Sequence, residues 1–123
     1  MTKIVIIEDD QVINQMYRMK FEASGFDVST ASDGESGILI SEKTRPDIIL
    51  LDIQMPHMNG DAALEKIRST SWGKQTPVFI LTNVGKEEAP ARLKDLDVAR
   101  YIVKAEHTPS QVVAEVKEVL KLA

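Results

Sequence analysis

Pro46-Asp47-Ile48-Ile49-Leu50-Leu51-Asp52 is the stretch on which the fold turns. Its aliphatic run lacks polar alternation, which suits a strand buried on both faces of a helix-covered parallel sheet. Three more runs share that character: Ile4-Val5-Ile6-Ile7 before Glu8-Asp9, Val78-Phe79-Ile80-Leu81 before Thr82, and Tyr101-Ile102-Val103 before Lys104. Each ends in a residue able to handle a phosphate or a metal. Ligands of open parallel sheets bind beyond the carboxyl ends of the strands, near the point where strand order reverses. Residues spread along the chain are therefore expected to converge at one edge.

Working outward, strand-like runs near 3–8, 26–30, 47–52, 77–82 and 100–103 alternate with helical patterns, as in βα units with right-handed crossovers. The expected fold is α/β, a flavodoxin-like (βα)5 doubly wound parallel sheet with strand order 2-1-3-4-5. The first helix, roughly 10–24, places Ile13, Met16, Tyr17 and Phe21 on one face and closes at Gly25. The second begins with Ser32-Asp33-Gly34-Glu35, a capping-box spacing with Ser32 at the cap, and stops before Pro46. The third follows the loop from Gln54 to Gly60 and buries Ala63, Leu64 and Ile67. A fourth, about 86–96, is expected with Pro90 in its first turn. Thr108-Pro109-Ser110-Gln111 opens the fifth with an N-cap, a proline at N1 and a glutamine at N3, ahead of Val112, Val113, Val116, Val119 and Leu120.

The chain of 123 residues is about one domain long, so a single domain over 1–123 without an output domain is expected. A net charge of −4 gives no basic footprint, and direct binding of nucleic acid is not expected. The absence of cysteine excludes disulfides, thiolate catalysis and cysteine-ligated zinc. His57 and His107 lack metal-ligand spacing and read as solvated loop residues. No signal-like or membrane-length apolar run is present, which points to a cytoplasmic protein without membrane contact.

With strand order 2-1-3-4-5, Glu8, Asp9 and Asp52 end neighbouring strands and share one crevice. Such acids must raise their pKa values or hold a cation, and carboxylates without histidine or cysteine favour a hard, oxygen-seeking ion. Mg²⁺ is expected, with Mn²⁺ able to substitute. A metal beside a carboxylate, a hydroxyl and an ammonium suits phosphoryl transfer, where catalysis is mostly positioning and charge neutralisation. Asp52, the lone acid after the middle strand, is the better candidate for an aspartyl phosphate, while Glu8-Asp9 reads as an ion holder. Lys104 would answer the added phosphoryl charge, worth about 4 kcal/mol at 4 Å and an effective dielectric near 20 before desolvation. Thr82 would offer its hydroxyl to another oxygen.

These residues closely resemble the receiver domain of two-component response regulators, and the resemblance spans the chain. It is carried by Lys3 to Asp10, Ser32-Asp33-Gly34-Glu35, Pro46 through Gly60, Pro77 to Thr82, and Tyr101 to Lys104. The resemblance implies that Asp52 accepts phosphate from a phosphohistidine on a sensor histidine kinase or a histidine phosphotransfer protein. It implies that Asp9, Asp52 and the Gln54 carbonyl bind Mg²⁺ with Glu8 assisting through water, and that Thr82 and Lys104 contact phosphoryl oxygens. By the same resemblance, Thr82 and Tyr101 switch a surface of fourth helix, fifth strand and fifth helix toward a downstream protein. Asn14, Arg18 and Met19 would form the kinase-docking face. Activity would be limited to self-catalysed phosphoryl acceptance and autodephosphorylation, not turnover as an enzyme.

The chain departs from the family at four places. Asn83 follows Thr82 where a small residue is usual, which narrows access to the phosphoryl group. Ala105 replaces a common proline, so Lys104 is either kept in place at a cost or placed differently. Asp97 stands where glycine commonly ends the fourth helix, and Asp tolerates left-handed backbone better than most residues. Ala99-Arg100 replaces an acidic pair of one subfamily's dimer face, so that symmetric dimer is not expected. Three other readings compete: an aspartyl phosphatase, a flavin or nucleotide module, and a non-phosphorylated pseudo-receiver. Gln54 stands where the phosphatase needs a second Asp, the loop Glu8-Asp9-Asp10-Gln11 lacks phosphate-cradling glycines, and the complete set of five residues argues against a pseudo-receiver.

Overall fold

The computed structural model of the chain describes residues 1–55, 58–85 and 89–122. Strands β1 (Lys3–Ile7), β2 (Asp27–Ala31), β3 (Ile48–Asp52), β4 (Val78–Thr82) and β5 (Arg100–Val103) form one sheet in the order β2-β1-β3-β4-β5. Every neighbouring pair is parallel, as the unalternated aliphatic runs require. Helices α1 (Gln11–Ala23), α2 (Gly34–Thr44), α3 (Gly60–Arg68) and α4 (Pro109–Val119) cover it. The α/β doubly wound fold with order 2-1-3-4-5 is therefore the one observed.

The period-two geometry of a strand divides each apolar run between two cores. Ile4, Ile6, Ile48, Leu50, Phe79 and Leu81 face a cluster closed by Tyr17 and Phe21 of α1 and by Val112, Val113 and Val116 of α4. Their neighbours Val5, Ile7, Ile49, Leu51, Val78 and Ile80 face Ala63, Leu64 and Ile67 of α3, with Ile38 and Ile40 of α2 packed alongside. Burying each such side chain contributes roughly 1.5–3 kcal/mol, which makes the three central strands a stiff base for whatever stands at their ends.

Helix ends follow their cap chemistry. Asp10 accepts from the Val12 and Ile13 N–H groups, and Gly25 takes φ +90° past the end of α1. Asp33, not Ser32, caps α2, accepting from Ser36 N–H, and α2 ends with Arg45 in left-handed backbone just before Pro46. Thr108 and Gln111 complete a reciprocal capping box on α4, with Pro109 at its start.

Three expectations need correction. The segment expected as a fourth helix is, within the described residues, a 3-10 turn, Ala91–Asp95; residues 86–88 lie outside the described residues. Pro90 supplies no N–H, Asp97 already turns left-handed at φ +55°, and the bonds run three residues back, from Leu93 to Pro90 and from Leu96 to Leu93. A three-residue repeat eclipses Leu93 and Leu96, so both pack on the core that α3 covers. Met16 is 41% exposed and not an inner-face residue. Asn14 is buried instead of solvated, its amide donating to the carbonyls of Glu8 and Ala31 and so joining α1 to the ends of β1 and β2. Arg18 and Met19 are exposed.

Candidate functional site

Strand register assembles the site. Ile7 pairs with Leu51, so Glu8, one residue on, stands beside Asp52. Asp52 pairs with Leu81, next to Thr82, and Thr82 pairs with Val103, next to Lys104. The four expected strand ends are thereby neighbours. Glu8, Asp9 and Asp52 each offer a carboxylate oxygen within 4.8 Å of the others. Lys104 Nζ contacts Glu8 Oε1 directly and lies 3.5 Å from Asp52 Oδ2. Thr82 is fully buried, and its hydroxyl accepts from Val84 N–H at 3.1 Å.

The loop after β3 is drawn tight by Gly60. A Cβ there would lie 2.4 Å from the Asp52 carbonyl oxygen and 2.5 Å from Ile53 Cα, so only glycine lets α3 begin against the backbone that carries Asp52. Gly60 N–H donates to the Ile53 carbonyl, and Gln54 N–H donates to Asp52 Oδ1 at 3.0 Å. Gln54 also lines, with Asp9, Met55, Asn59, Asp61, Val84 and Pro90, a cleft of about 680 Å³ at the mouth of the site. His57 lies outside the described residues.

Charge in the site does not balance. Three carboxylates face one ammonium, and Glu8 and Asp52 are only 1% and 3% exposed. Burial, with Glu8 adding to it, pushes Asp52 up to about 7 against the pull of the Gln54 N–H and of Lys104. Fully ionised, the all-oxygen cluster would carry two uncompensated negative charges, which fits a hard divalent cation that would favour the ionised form of Asp52. Asp9, exposed where its two partners are buried, leaves such an ion open toward the cleft.

Lys104 reaches the acids although Ala105 replaces a proline; the peptide bond between them is trans. Tyr101 packs its ring on the core beside Leu93, and its hydroxyl is enclosed. It also lines a second cleft of about 530 Å³ with Pro90, Leu93, Val98 and Arg100. Arg100 pairs within the chain, with Glu115 and Glu118. Sequence reading missed Asn14, although a polar residue spaced with Tyr17 and Phe21 on one helix face is a signal for a buried hydrogen bond. It also missed His107, which is paired with Glu115, and Arg68, whose guanidinium donates to the carbonyls of Gly73, Thr76, Leu96 and Asp97.

Comparison with known proteins agrees with this geometry. A family described as "Response regulator receiver domain" matches residues 4–117. Among curated relatives, the chain is 31% identical over 119 residues to the alkaline phosphatase synthesis transcriptional regulatory protein PhoP of Bacillus subtilis, covering 97% of this chain and 48% of that protein. It is 29% identical over 121 residues to the phosphate regulon transcriptional regulatory protein PhoB of Rhizobium meliloti, covering 98% and 53%. The chain thus spans about half the length of the curated relatives it matches. The solved structure of Vibrio cholerae chemotaxis protein CheY4 superposes with a TM-score of 0.90 at 28% identity, over 97% of this chain and 98% of that one. The receiver domain of Francisella response regulator 1452 gives 0.86 at 26%, over 98% of each.

Proposed function

This chain belongs to the response regulator receiver domain family, and from that premise we infer that Asp52 is its phosphoacceptor. The observation that carries the inference is the buried carboxylate of Asp52 within 4.8 Å of Glu8 and Asp9 oxygens and 3.5 Å from Lys104 Nζ. An Asp52 oxygen attacks the phosphorus of a phosphohistidine on a sensor histidine kinase or a histidine phosphotransfer protein. The new P–O bond forms as the P–N bond breaks, and the released imidazole nitrogen takes up a proton. Asp9, Asp52 and the Gln54 carbonyl would hold Mg²⁺, or Mn²⁺ in its place, with Glu8 assisting through water. When bound, the ion neutralises charge on the acids and on the incoming phosphoryl oxygens.

Lys104 moves its attraction from Glu8 to the phosphoryl oxygens, and Thr82 turns its hydroxyl hydrogen toward another. Thr82 carries the Val84 N–H with it, so a local charge change reaches the loop after β4. That loop leads to the 3-10 turn and to the cleft at Tyr101, the face that would meet a downstream protein together with β5 and α4. The net charge of −4 supports a protein partner for this receiver instead of nucleic acid. Among the described residues no helix is long and apolar enough to cross a membrane, and cytoplasmic residence belongs to the same reading. We extend it to a single receiver domain over residues 1–123, acting by self-catalysed acceptance and loss of phosphate.

The test is incubation with acetyl phosphate and Mg²⁺, with chelated and Asp52→Asn controls. Uptake of a single phosphoryl group that both controls abolish is the expected result. Uptake indifferent to the chelator, or full phosphorylation of Asp52→Asn, rejects the reading.

A further inference from the structure

Lys104 sits in a single 3-10 turn, Lys104–Glu106, none of whose residues is buried, so core packing does not hold that turn in place. His107 does. Its ring Nδ1 lies 3.2 Å from the Val103 carbonyl and its Nε2 3.2 Å from the Glu115 carboxylate on α4. Its backbone N–H also points at the Lys104 carbonyl, at 3.4 Å. Both ring neighbours are oxygen acceptors, so the ring nitrogens are aimed at one group on each side.

Glu115 makes the brace rigid because it is shared. Its other oxygen accepts from Arg100 Nη1 at 3.1 Å, and Arg100 Nη2 donates to Glu118 at 2.7 Å. A single carboxylate therefore ties the first residue of β5 to α4 and, through the imidazole, the carbonyl that directly precedes Lys104. The side chains of His107 and Glu115 are 27% and 24% exposed, which shields the pair from solvent more than an open surface pair.

We propose that His107, held by Glu115, is a positioning residue that fixes where Lys104 Nζ sits relative to Asp52 during phosphoryl acceptance. This assigns to a side-chain brace the loop-shaping role left vacant by Ala105. The proposal rests on Asp52 being the phosphoacceptor. Reacting groups displaced by about 1 Å lose up to 100-fold in rate, so a slackened turn is expected to be felt at the acid even though His107 never touches it.

The experiment measures initial rates of Mg²⁺-dependent phosphorylation by acetyl phosphate in the full chain. Variants are His107→Ala, Lys104→Ala, the two combined, Glu115→Ala and Glu115→Gln. His107→Ala is expected to slow uptake roughly tenfold, with melting temperature and Mg²⁺ affinity unchanged, and to have no further effect once Lys104→Ala is present. Glu115→Gln keeps an acceptor for the imidazole and is expected to recover most of the rate lost in Glu115→Ala. A wild-type rate in His107→Ala overturns the proposal while leaving Asp52 as acceptor. So does an equal slowing in both Lys104 backgrounds, which would mark general loosening of the fold. A wild-type chain that takes up no phosphoryl group overturns both readings.

Discussion

The β1–β3 corner and the β4–β5 corner of the same sheet edge are held by different forces. At the first, Glu8 and Asp52 stand on strands whose aliphatic residues are at most 1% exposed, and Gly60 pulls α3 against the backbone beside them. At the second, β4 is as buried as β1 and β3, but β5 buries only Ile102 of its four residues and the adjoining 3-10 turn only Leu93, with arginine bonds adding to these ties. Arg92 reaches Asp61 at 2.8 Å and Glu65 at 3.2 Å, Arg68 donates to four carbonyls, and Arg100 grips α4. Apolar packing places charges rigidly, and polar ties can be exchanged one for another without opening a core. The division sets the acids over buried central strands and leaves β5, with the 3-10 turn before it, as the more loosely held edge.

The sharpest way to break this contrast is to cut one leucine from each corner. Leu50→Ala is expected to cost about 4 kcal/mol, since its neighbours cannot close the space, and Leu93→Ala about 2 kcal/mol or less, since its turn can relax. Urea unfolding reads both, and equal costs would dissolve the distinction.

Next in size is the pH dependence of the acid corner. Asp52 is raised from an ordinary 3.8 to about 7, so its protonated form is the one the ion-free fold prefers. That contribution is complete below 3.8 and is lost as pH rises through about 7. Asp52→Asn therefore stabilises the ion-free chain by roughly 2–4 kcal/mol near pH 8 and leaves it unchanged near pH 3, at 1.36 kcal/mol per pKa unit. Denaturation in chelator at the two pH values checks this; a gain that grows as pH falls has the wrong sign. Adding Mg²⁺ near pH 8 is expected to stabilise wild type more than the variant.

Much of this division was legible in the sequence, and what escaped has a common cause. Ile48 to Asp52 announced both a doubly buried strand and the acid after it, because strand residues and the residues that follow them obey local rules. The cap at Thr108 and the left-handed Asp97 were readable for the same reason. The 3-10 turn was not, because helical propensity in Ala91 to Leu96 competes with the missing donor of Pro90 and with burial at a three-residue repeat. Asn14, Arg68 and His107 were missed because their partners are fixed only by the fold: Asn14 meets Ala31 across two elements, Arg68 meets Leu96 at 28 residues' separation, and His107 meets a carboxylate on the following helix.

Two smaller effects refine the responsive corner. Asn83, exposed beside Thr82, stands at its entrance, and Asn83→Ala is expected to change the acyl-phosphate half-life severalfold, by about 1 kcal/mol in barrier; equal half-lives remove Asn83 from the account. Arg92→Ala is expected to cost under 1 kcal/mol, as exposed pairs do, yet to speed amide exchange in Ala91 to Leu96 and not in β3. High salt should reproduce part of that change in wild type. Faster exchange in both segments would show that the two corners are not separately held.

The central claim, that four strand ends converge on one phosphoacceptor, is tested most directly by locating the phosphoryl group. Phosphorylated protein is reduced with borohydride, which converts an acyl phosphate to the corresponding alcohol, and the modified residue is mapped by peptide mass spectrometry. Modification at Asp52 alone, lost when Mg²⁺ is chelated and slowed in Lys104→Ala, is the predicted result. Modification at Glu8 or Asp9, or a label that ignores both the ion and Lys104, would contradict it.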